Sequence, residues 1–329
     1  MPTDLPDGRR TPRFSGICTF GRFPRIEDVV AANRPVDWIV YGAPFDGGVT
    51  YRPGARFGPR AVREQSQYMK PFHQELGVNV AERMSLADGG DAPVAPYSCR
   101  ETMESIVAWT ARLGTADAGE PGDARRPRLF AVGGDHSIAY ANLRATWERL
   151  GRPAPGLALL HFDAHLDTVD SVWGEKWGHA SPFMRAIEEG IVDPTAMLSI
   201  GLRGGLNAAA DLEFARSRGV SIVPALRIPG GEGEVAVAML RQRIGGRPLY
   251  VSFDIDCLDP AFAPGTGTPV CGGLSSREAF ALIRCAAGMT IVGGDVVEVL
   301  PDRDVAGITA LAGATILMEV LAASVAPHA

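Results

Sequence analysis

Leu159-Leu160-His161-Phe162-Asp163-Ala164-His165-Leu166-Asp167 is an apolar run that gives way to alternating acids and an imidazole. The run begins at Gly156. Gly156 to Phe162 reads as a buried strand of a parallel sheet, because strands covered on both faces lose the apolar/polar alternation. In extended chain, side chains at i and i+2 share a face. Asp163 and His165 therefore project together from the C-terminal end of the strand, and Asp167 can curl back from the loop that follows. Two carboxylates and an imidazole converging at a strand end suit a divalent metal. A strand-end hydrogen-bond network is the other reading of one such cluster.

Ser252-Phe253-Asp254-Ile255-Asp256 repeats the pattern after the apolar lead Leu249-Tyr250-Val251. Asp254 and Asp256 share one face, and like charges so close repel strongly unless a cation or a proton lies between them. A third stretch, Leu129-Phe130-Ala131-Val132-Gly133-Gly134-Asp135-His136-Ser137, reads as strand, Gly-Gly turn and helix, with His136 at the corner. Open parallel sheets bind ligands at the carboxyl ends of their strands, and all three stretches bring acids and imidazoles to that edge. The set is His136, Asp163, His165, Asp167, Asp254 and Asp256. It holds too many carboxylates for one tetrahedral zinc. It suits two hard or borderline cations bridged by Asp163 and Asp254, roughly 3.5–4 Å apart as in other two-metal sites. Oxygen-rich ligation with some imidazole points to Mn²⁺ over Zn²⁺.

The composition, 46% hydrophobic and 21% charged over 329 residues, is that of an ordinary globular protein. No charged linker or low-complexity block divides the chain, which argues for a single domain over 35–329 behind an irregular N-terminal arm, 1–34, with turn prolines. Such an arm can cover a neighbouring subunit. A net charge of −6 argues against a general nucleic-acid binder. No apolar run is long enough to span a bilayer, and the N-terminus lacks the apolar core of a signal peptide. A cytoplasmic protein is expected. Five scattered cysteines without a Cys-x-x-Cys fit a reduced compartment. Cys257 neighbours Asp256 but alternates away from its face. About eight apolar strands alternate with helical patterns, the mark of a parallel α/β sheet covered on both sides. The polar stretch Gly114–Arg126 reads as a surface loop.

Four stretches carry a family resemblance: GGDHS at Gly133–Ser137, DAHLD at Asp163–Asp167, SFDIDCLDPAFAPGTGTP at Ser252–Pro269 and GGDVVEV at Gly293–Val299. With Gly42–Glu64, an agmatinase-type N-terminal block, they make the chain resemble the ureohydrolase (arginase/agmatinase) family from about Pro12 onward. The resemblance implies the three-layer α/β/α arginase fold, a binuclear site that cleaves a guanidino compound to urea and an amine, and trimers or hexamers. It implies that His179, in a His-Ala-Ser-Pro element, shuttles protons, although Ala180 stands where the family has Gly. By itself a loop histidine is more often a surface residue. It implies that Glu298 holds the guanidinium through two oxygens against two N–H groups, and that Thr268 lies beside it. Asp167, a ligand beside the metal-activated water, would orient it and relay a proton to the departing amine. His161 lies deeper in its strand, where core hydrogen bonding is expected.

For the substrate, arginases carry an Asn soon after the Asp-Ala-His-x-Asp motif that contacts the amino-acid head group. Val169 stands there in this chain, which disfavours arginine. Agmatine is the narrow expectation. Guanidino acids such as 4-guanidinobutyrate or 3-guanidinopropionate are the alternative, since Gly174-Glu175-Lys176 looks like the loop of several guanidino-acid hydrolases. A ureohydrolase-like scaffold without activity is the third reading, which a complete ligand set opposes. The loop Thr168–Gly178 is expected to border the substrate's tail, with Trp173 and Trp177 walling an aliphatic spacer.

Overall fold

The apolar runs pair as one parallel sheet. The structure is a computed structural model that describes residues 2–113 and 126–327. Its main strands are β1 (Trp38–Ala43), β2 (Leu86–Asp91), β3 (Arg128–Gly133), β4 (Leu157–Phe162), β5 (Val192–Ile200), β6 (Ser221–Val223), β7 (Leu249–Asp254) and β8 (Ile291–Val297). They hydrogen-bond in the order β2-β1-β3-β8-β7-β4-β5-β6, and every pair is parallel. Two further short strands, Phe72–His73 and Val78–Asn79, form a separate antiparallel pair. Of the polar loop expected at Gly114–Arg126, residues 114–125 lie outside the described residues.

Alternation along each strand splits the core into two layers. Leu157 and Leu159 pack with Ile39, Tyr41 and Leu129 beneath the helices Cys99–Thr110, Ile138–Arg149 and Pro182–Glu188. Ala158 and Leu160 pack with Val40, Phe130 and Val251 beneath Gly58–Gln65, Glu232–Ile244, Ser276–Arg284 and Ile308–Ala323. This is the expected three-layer α/β/α arrangement. Chain order breaks at β3/β8 and again at β7/β4, in the middle of the sheet. Crevices open above strand ends where the order breaks, so β3, β8, β7 and β4 together frame a site.

Most element boundaries follow the apolar pattern, and β3, β7 and the closing helix coincide with it. Strand β5 begins at Val192, earlier than the apolar run from Ala196 suggests. Asp193 and Pro194 break the pattern, but Asp193 is paired with Arg247 at 2.9 Å, which allows an acid inside a strand. The N-terminal stretch corrects the expectation of an irregular arm. Phe20–Arg22 is a 3-10 turn and Ile26–Ala31 a helix, and Phe20, Phe23, Ile26 and Val29 are buried. Phe20 N donates to Asp88 at 2.8 Å, and Thr3 Oγ1 donates to Met84 O at 2.7 Å while accepting from Leu86 N at 2.8 Å. The missed signal is the i, i+3 pair Ile26/Val29, too short to show a period.

The closing helix is almost wholly apolar, yet it buries Glu319. Arg284 Nε donates to Glu319 at 2.8 Å, and His73 Nε2 lies at 3.0 Å, so this carboxylate joins the helix to Ser276–Arg284 and to the small hairpin. Burial alone would raise its pKa. Hydrogen bonds from His73 and Arg284 outweigh burial and hold it below the ordinary value. A depressed carboxylate stabilises the fold above its unfolded pKa, and that contribution is lost as pH falls through the folded one. Glu319→Gln is therefore expected to cost about 1–3 kcal/mol near neutral pH. In urea melts, the gap between variant and parent should narrow as pH drops below the usual carboxylate range. A gap that is constant with pH would contradict this.

Candidate active site

Each strand end is shaped by a local constraint. After β3 the chain folds back against the end of β1, where a Cβ on Gly134 would lie 1.8 Å from Phe45 O, so only glycine fits. The turn buries Asp135, which accepts from Gly48 N at 2.8 Å and Ser137 N at 3.0 Å. It also aims His136 along the sheet's edge, with His136 N donating to Glu298 Oε1 at 3.0 Å. Asp167 (φ 53°) and Glu298 (φ 63°) occupy the left-handed region that non-glycine residues avoid. Such strain persists where surrounding structure imposes it, and it gathers at functional sites.

The six residues expected as metal ligands converge. His136 Nδ1 faces Asp163 at 3.1 Å, Asp167 at 2.8 Å and Asp254 at 3.3 Å. His165 Nδ1 faces Asp163 at 3.3 Å and Asp256 at 3.2 Å. Asp163 joins the two halves. Asp254 Oδ1 accepts from Asp256 N at 2.8 Å and Asp256 Oδ1 from Ala164 N at 3.1 Å, so backbone amides orient the carboxylates. Asp163, His165 and Asp256 can present ligand atoms within 4.8 Å of one another, and so can His136, His161 and Asp163. His161, however, has both nitrogens engaged, one on Ser199 Oγ at 3.1 Å and the other on Asp163 Oδ2 at 3.0 Å. It supports Asp163 from below. Cys257 points elsewhere, with Sγ 3.5 Å from Ile200 O.

Electrostatics divide the acids. Burial, then the charges of Asp256 and Asp163, push Asp254 well above the ordinary carboxylate value. Burial, then Asp163, also raise Asp256. Asp163 moves the other way: burial opposes its charge, but hydrogen bonds from His136, His161 and His165 overcome it. Burial likewise opposes the charged form of His136, and its three carboxylate neighbours overcome that. Buried like charges that force one another to hold protons are a site that favours a cation. Two imidazoles and four carboxylates fit divalent cations by their donor chemistry.

Beside the cluster, His179 Nδ1 lies 2.8 Å from Glu298 Oε1, and Thr50 meets His179 Nε2 through its amide at 3.0 Å and its hydroxyl at 2.7 Å. Burial alone would lower the His179 pKa, but the Glu298 carboxylate outweighs it, and the value is pushed up to about 9. Glu298 Oε1 thus already serves His136 N–H and His179, whereas Oε2 is buried without a partner. One oxygen of Glu298 is therefore committed to the protein, and Oε2 is the one without a partner. Thr268 donates to Asp256 Oδ2 at 3.3 Å, so its hydroxyl reaches the carboxylate cluster. Its neighbour Gly267 is the residue against Glu298, where a Cβ would come 3.7 Å from Oε2.

The loop after Asp167 is only partly as expected. Trp177 turns towards the helix layer. Its ring packs edge-on against Tyr140 at 4.8 Å and anchors the loop to the helix layer. Trp173 is 84% exposed and lines a crevice of about 90 Å³ with Thr50, Glu175 and Gly178. Asp170 is held by Arg185 at 2.7 Å, and Glu175 accepts from Trp177 N at 2.8 Å. Two contributors escaped the sequence. Thr50 sits in a glycine-rich loop with nothing to mark it. Arg203 donates to five backbone carbonyls, those of Gly201, Asp256, Cys257, Leu258 and Val270, and so fixes the segment that bears Asp256. Its only sequence signal is a basic residue just past an apolar strand.

A family model described as the Arginase family matches residues 36–323, from just before β1 through the closing helix. The guanidinopropionase of Pseudomonas aeruginosa is 41% identical over 325 residues, covering 98% of this chain and 96% of that protein. The agmatinase of Neisseria meningitidis serogroup A is 39% identical over 287 residues, covering 87% of this chain and 86% of that one. The solved structure of proclavaminate amidino hydrolase from Streptomyces clavuligerus superposes with a TM-score of 0.85 at 38% identity, covering 95% of this chain and 99% of that one. Strand order, the convergence of six histidines and aspartates and near full-length relatives agree, and the chain belongs to the Arginase family, as a hydrolase of guanidino C–N bonds.

Proposed function

We propose that this enzyme cleaves an ω-guanidino carboxylic acid of the guanidinopropionate class to urea and an ω-amino acid. The observation that carries the reading is the charge available on the loops flanking the site. Asp170 is taken by Arg185, and Glu175 by the backbone of Trp177. The cations on the same loops are Arg52, whose guanidinium lies over the Tyr51 ring at 4.7 Å, and Lys176, held to Asp170 only by a long 3.9 Å pair. A carboxylate tail finds partners there. The similarity to guanidinopropionase, 41% over almost the whole chain, supports the same choice. Agmatine, the narrower expectation from sequence, is the second reading, favoured by the 39% identity to an agmatinase. The inactive-scaffold reading is opposed by the convergence of every expected ligand.

In this reading His136, Asp163, His165, Asp167, Asp254 and Asp256 would hold divalent cations, with Mn²⁺ the best match to the donors. Such cations supply a water acidified enough to act as nucleophile near neutral pH. Glu298 Oε2 orients the planar guanidinium, which is otherwise free to tumble. Asp167, held in its strained conformation, accepts the nucleophile's proton and passes it to the departing amine. The Glu298 carboxylate pushes the His179 pKa up to about 9, which favours the charged ring at neutral pH; Nε2 accepts from Thr50 N in the neutral ring and can donate to Thr50 Oγ1 in the charged one. His179 can therefore resupply protons to the leaving nitrogen.

Three outcomes test this. Urea release from a panel of 3-guanidinopropionate, 4-guanidinobutyrate, agmatine and arginine should favour the acids. Lys176→Ala or Arg52→Ala should lower the acid-to-agmatine ratio of kcat/KM about tenfold, equivalent to about 1.4 kcal/mol. A tenfold preference for agmatine would overturn the proposed class.

Asp163→Asn and Asp254→Asn are expected to lose bound metal in elemental analysis and to lose urea release with it. Two bound metals with full activity in either variant would refute the assignment. His179→Asn should cut kcat about a hundredfold with little change in KM. The parent's rate should fall as pH rises through about 9, where His179 gives up its proton, and that limb should vanish in the variant. A limb that survives in His179→Asn belongs to another group.

A further inference from the structure

The glycine-rich loop between β1 and the helix Gly58–Gln65 is drawn tight by one acid. Asp46 is buried at its start, accepts from Gly54 N at 2.7 Å and pairs with Arg56, so the loop closes on itself. Midway round, Gly48 N donates to Asp135 at 2.8 Å, and Gly48 O accepts from His179 N at 3.0 Å. A Cβ on Gly48 would lie 3.1 Å from Gly178 Cα, so the two loops touch backbone to backbone. This clasp sets Thr50 against the His179 ring. Thr50 N donates to Nε2 at 3.0 Å, and Thr50 Oγ1 lies 2.7 Å from the same nitrogen. The other ring nitrogen, Nδ1, faces Glu298 Oε1 at 2.8 Å. His179 is buried, whereas Thr50 also lines the crevice of about 90 Å³ that it shares with Val172, Trp173, Gly178 and Ser181. Ser181 is buried there, and its Oγ has no partner among the described residues. A crevice takes water once it offers about 10–15 Å³ and polar partners. This one offers both, and Trp173, 84% exposed, marks its opening to solvent.

The two nitrogens of His179 therefore face different surroundings, a carboxylate of the site on one side and a hydroxyl open to the crevice on the other. In the neutral ring Nδ1–H donates to Glu298, and Nε2 accepts from Thr50 N. Nε2 is then ready for a proton, and Thr50 Oγ1 is placed to give one. We infer that Thr50 is the relay through which His179 is recharged with protons from solvent in this crevice. This rests on His179 supplying protons, as proposed above. The transfer balances. A proton donor in the crevice, hydronium or a protonated buffer base, forms a new O–H bond at Thr50 Oγ1. The old Thr50 O–H bond breaks as an N–H bond forms on Nε2. Threonine ends neutral and His179 ends charged. A hydroxyl suits the step because one oxygen both donates and accepts. Threonine suits it further because its branched side chain is stiff, which keeps the hydroxyl on the ring. Thr50 acts only through His179.

The test uses the full-length, metal-loaded protein with 3-guanidinopropionate, or with agmatine if that is hydrolysed faster. Thr50→Val removes the hydroxyl but keeps the backbone N–H and the shape of the side chain. In dilute buffer it should lower kcat about tenfold and leave KM within about twofold. Concentrated imidazole buffer, a small proton carrier, should restore most of that loss, each rate being read against the parent in the same buffer. Thr50→Ser keeps the hydroxyl and should stay within about threefold of the parent. Combined with His179→Asn, Thr50→Val should add no further loss, because residues that act in series are not additive. Parental kcat in Thr50→Val, a loss that imidazole does not relieve, or a loss that appears in KM would overturn the relay. If His179→Asn keeps the parental rate, the proton supply itself falls; if His179→Asn is slow and Thr50→Val is fast, only the relay falls.

Discussion

Four carboxylates pressed together at the buried edge of a sheet are the constraint on which the rest of this structure depends. Uncompensated, such charges would not stay buried, since an unpaired buried ion costs several kcal/mol after relaxation. Two imidazoles face them directly, His136 and His165, and a third, His161, supports Asp163 from inside the strand. Backbone amides of Ala164, His165 and Asp256 take up further oxygens. The parallel sheet is what makes this possible. Its strands all end on the same edge, so residues distant in the chain meet without any long excursion of backbone.

Charge compensation also explains why each oxygen around the site has a definite partner or a definite vacancy. Glu298 divides its work between its two oxygens, one holding His136 N–H and His179, the other left bare. That division makes the carboxylate a scaffold part and a recognition group at once. It also couples His179, proposed to move protons, to the acid proposed to orient the guanidinium. A change at either one is felt by the other through a single 2.8 Å contact.

Much of this was legible in the chain because strand periodicity and ligand spacing are local. Asp163 and His165 share a face by alternation alone, and Gly133-Gly134 before His136 announces a turn. What stayed hidden is tertiary. Thr50 meets His179 across 129 residues, and Ser252 meets Asp295 across 43. Asp135 and Asp295 sit inside the very motifs that carry the family resemblance, yet nothing in spacing separates a supporting acid from a ligand. Trp177 failed for a related reason: a tryptophan in a loop reads the same whether it faces a channel or, as here, Tyr140 in the helix layer. The N-terminal segment failed because six residues are too few to display a helical period.

That segment has a bearing on solubility. An outermost strand offers unpaired amides and carbonyls to any other extended chain, which is how sheets recruit one another into aggregates. At one margin of this sheet, β2 is capped by its own chain: Asp88 N donates to Pro24 O at 2.9 Å, and Arg25 bridges to Asp88 in parallel. At the other margin β6 is three residues long, too little template for a partner. The chain's first thirty-odd residues are therefore a guard against intermolecular sheet growth as well as a cover for the core. Trimming them would uncover the outer edge of β2 at Asp88, the place where another extended chain could pair.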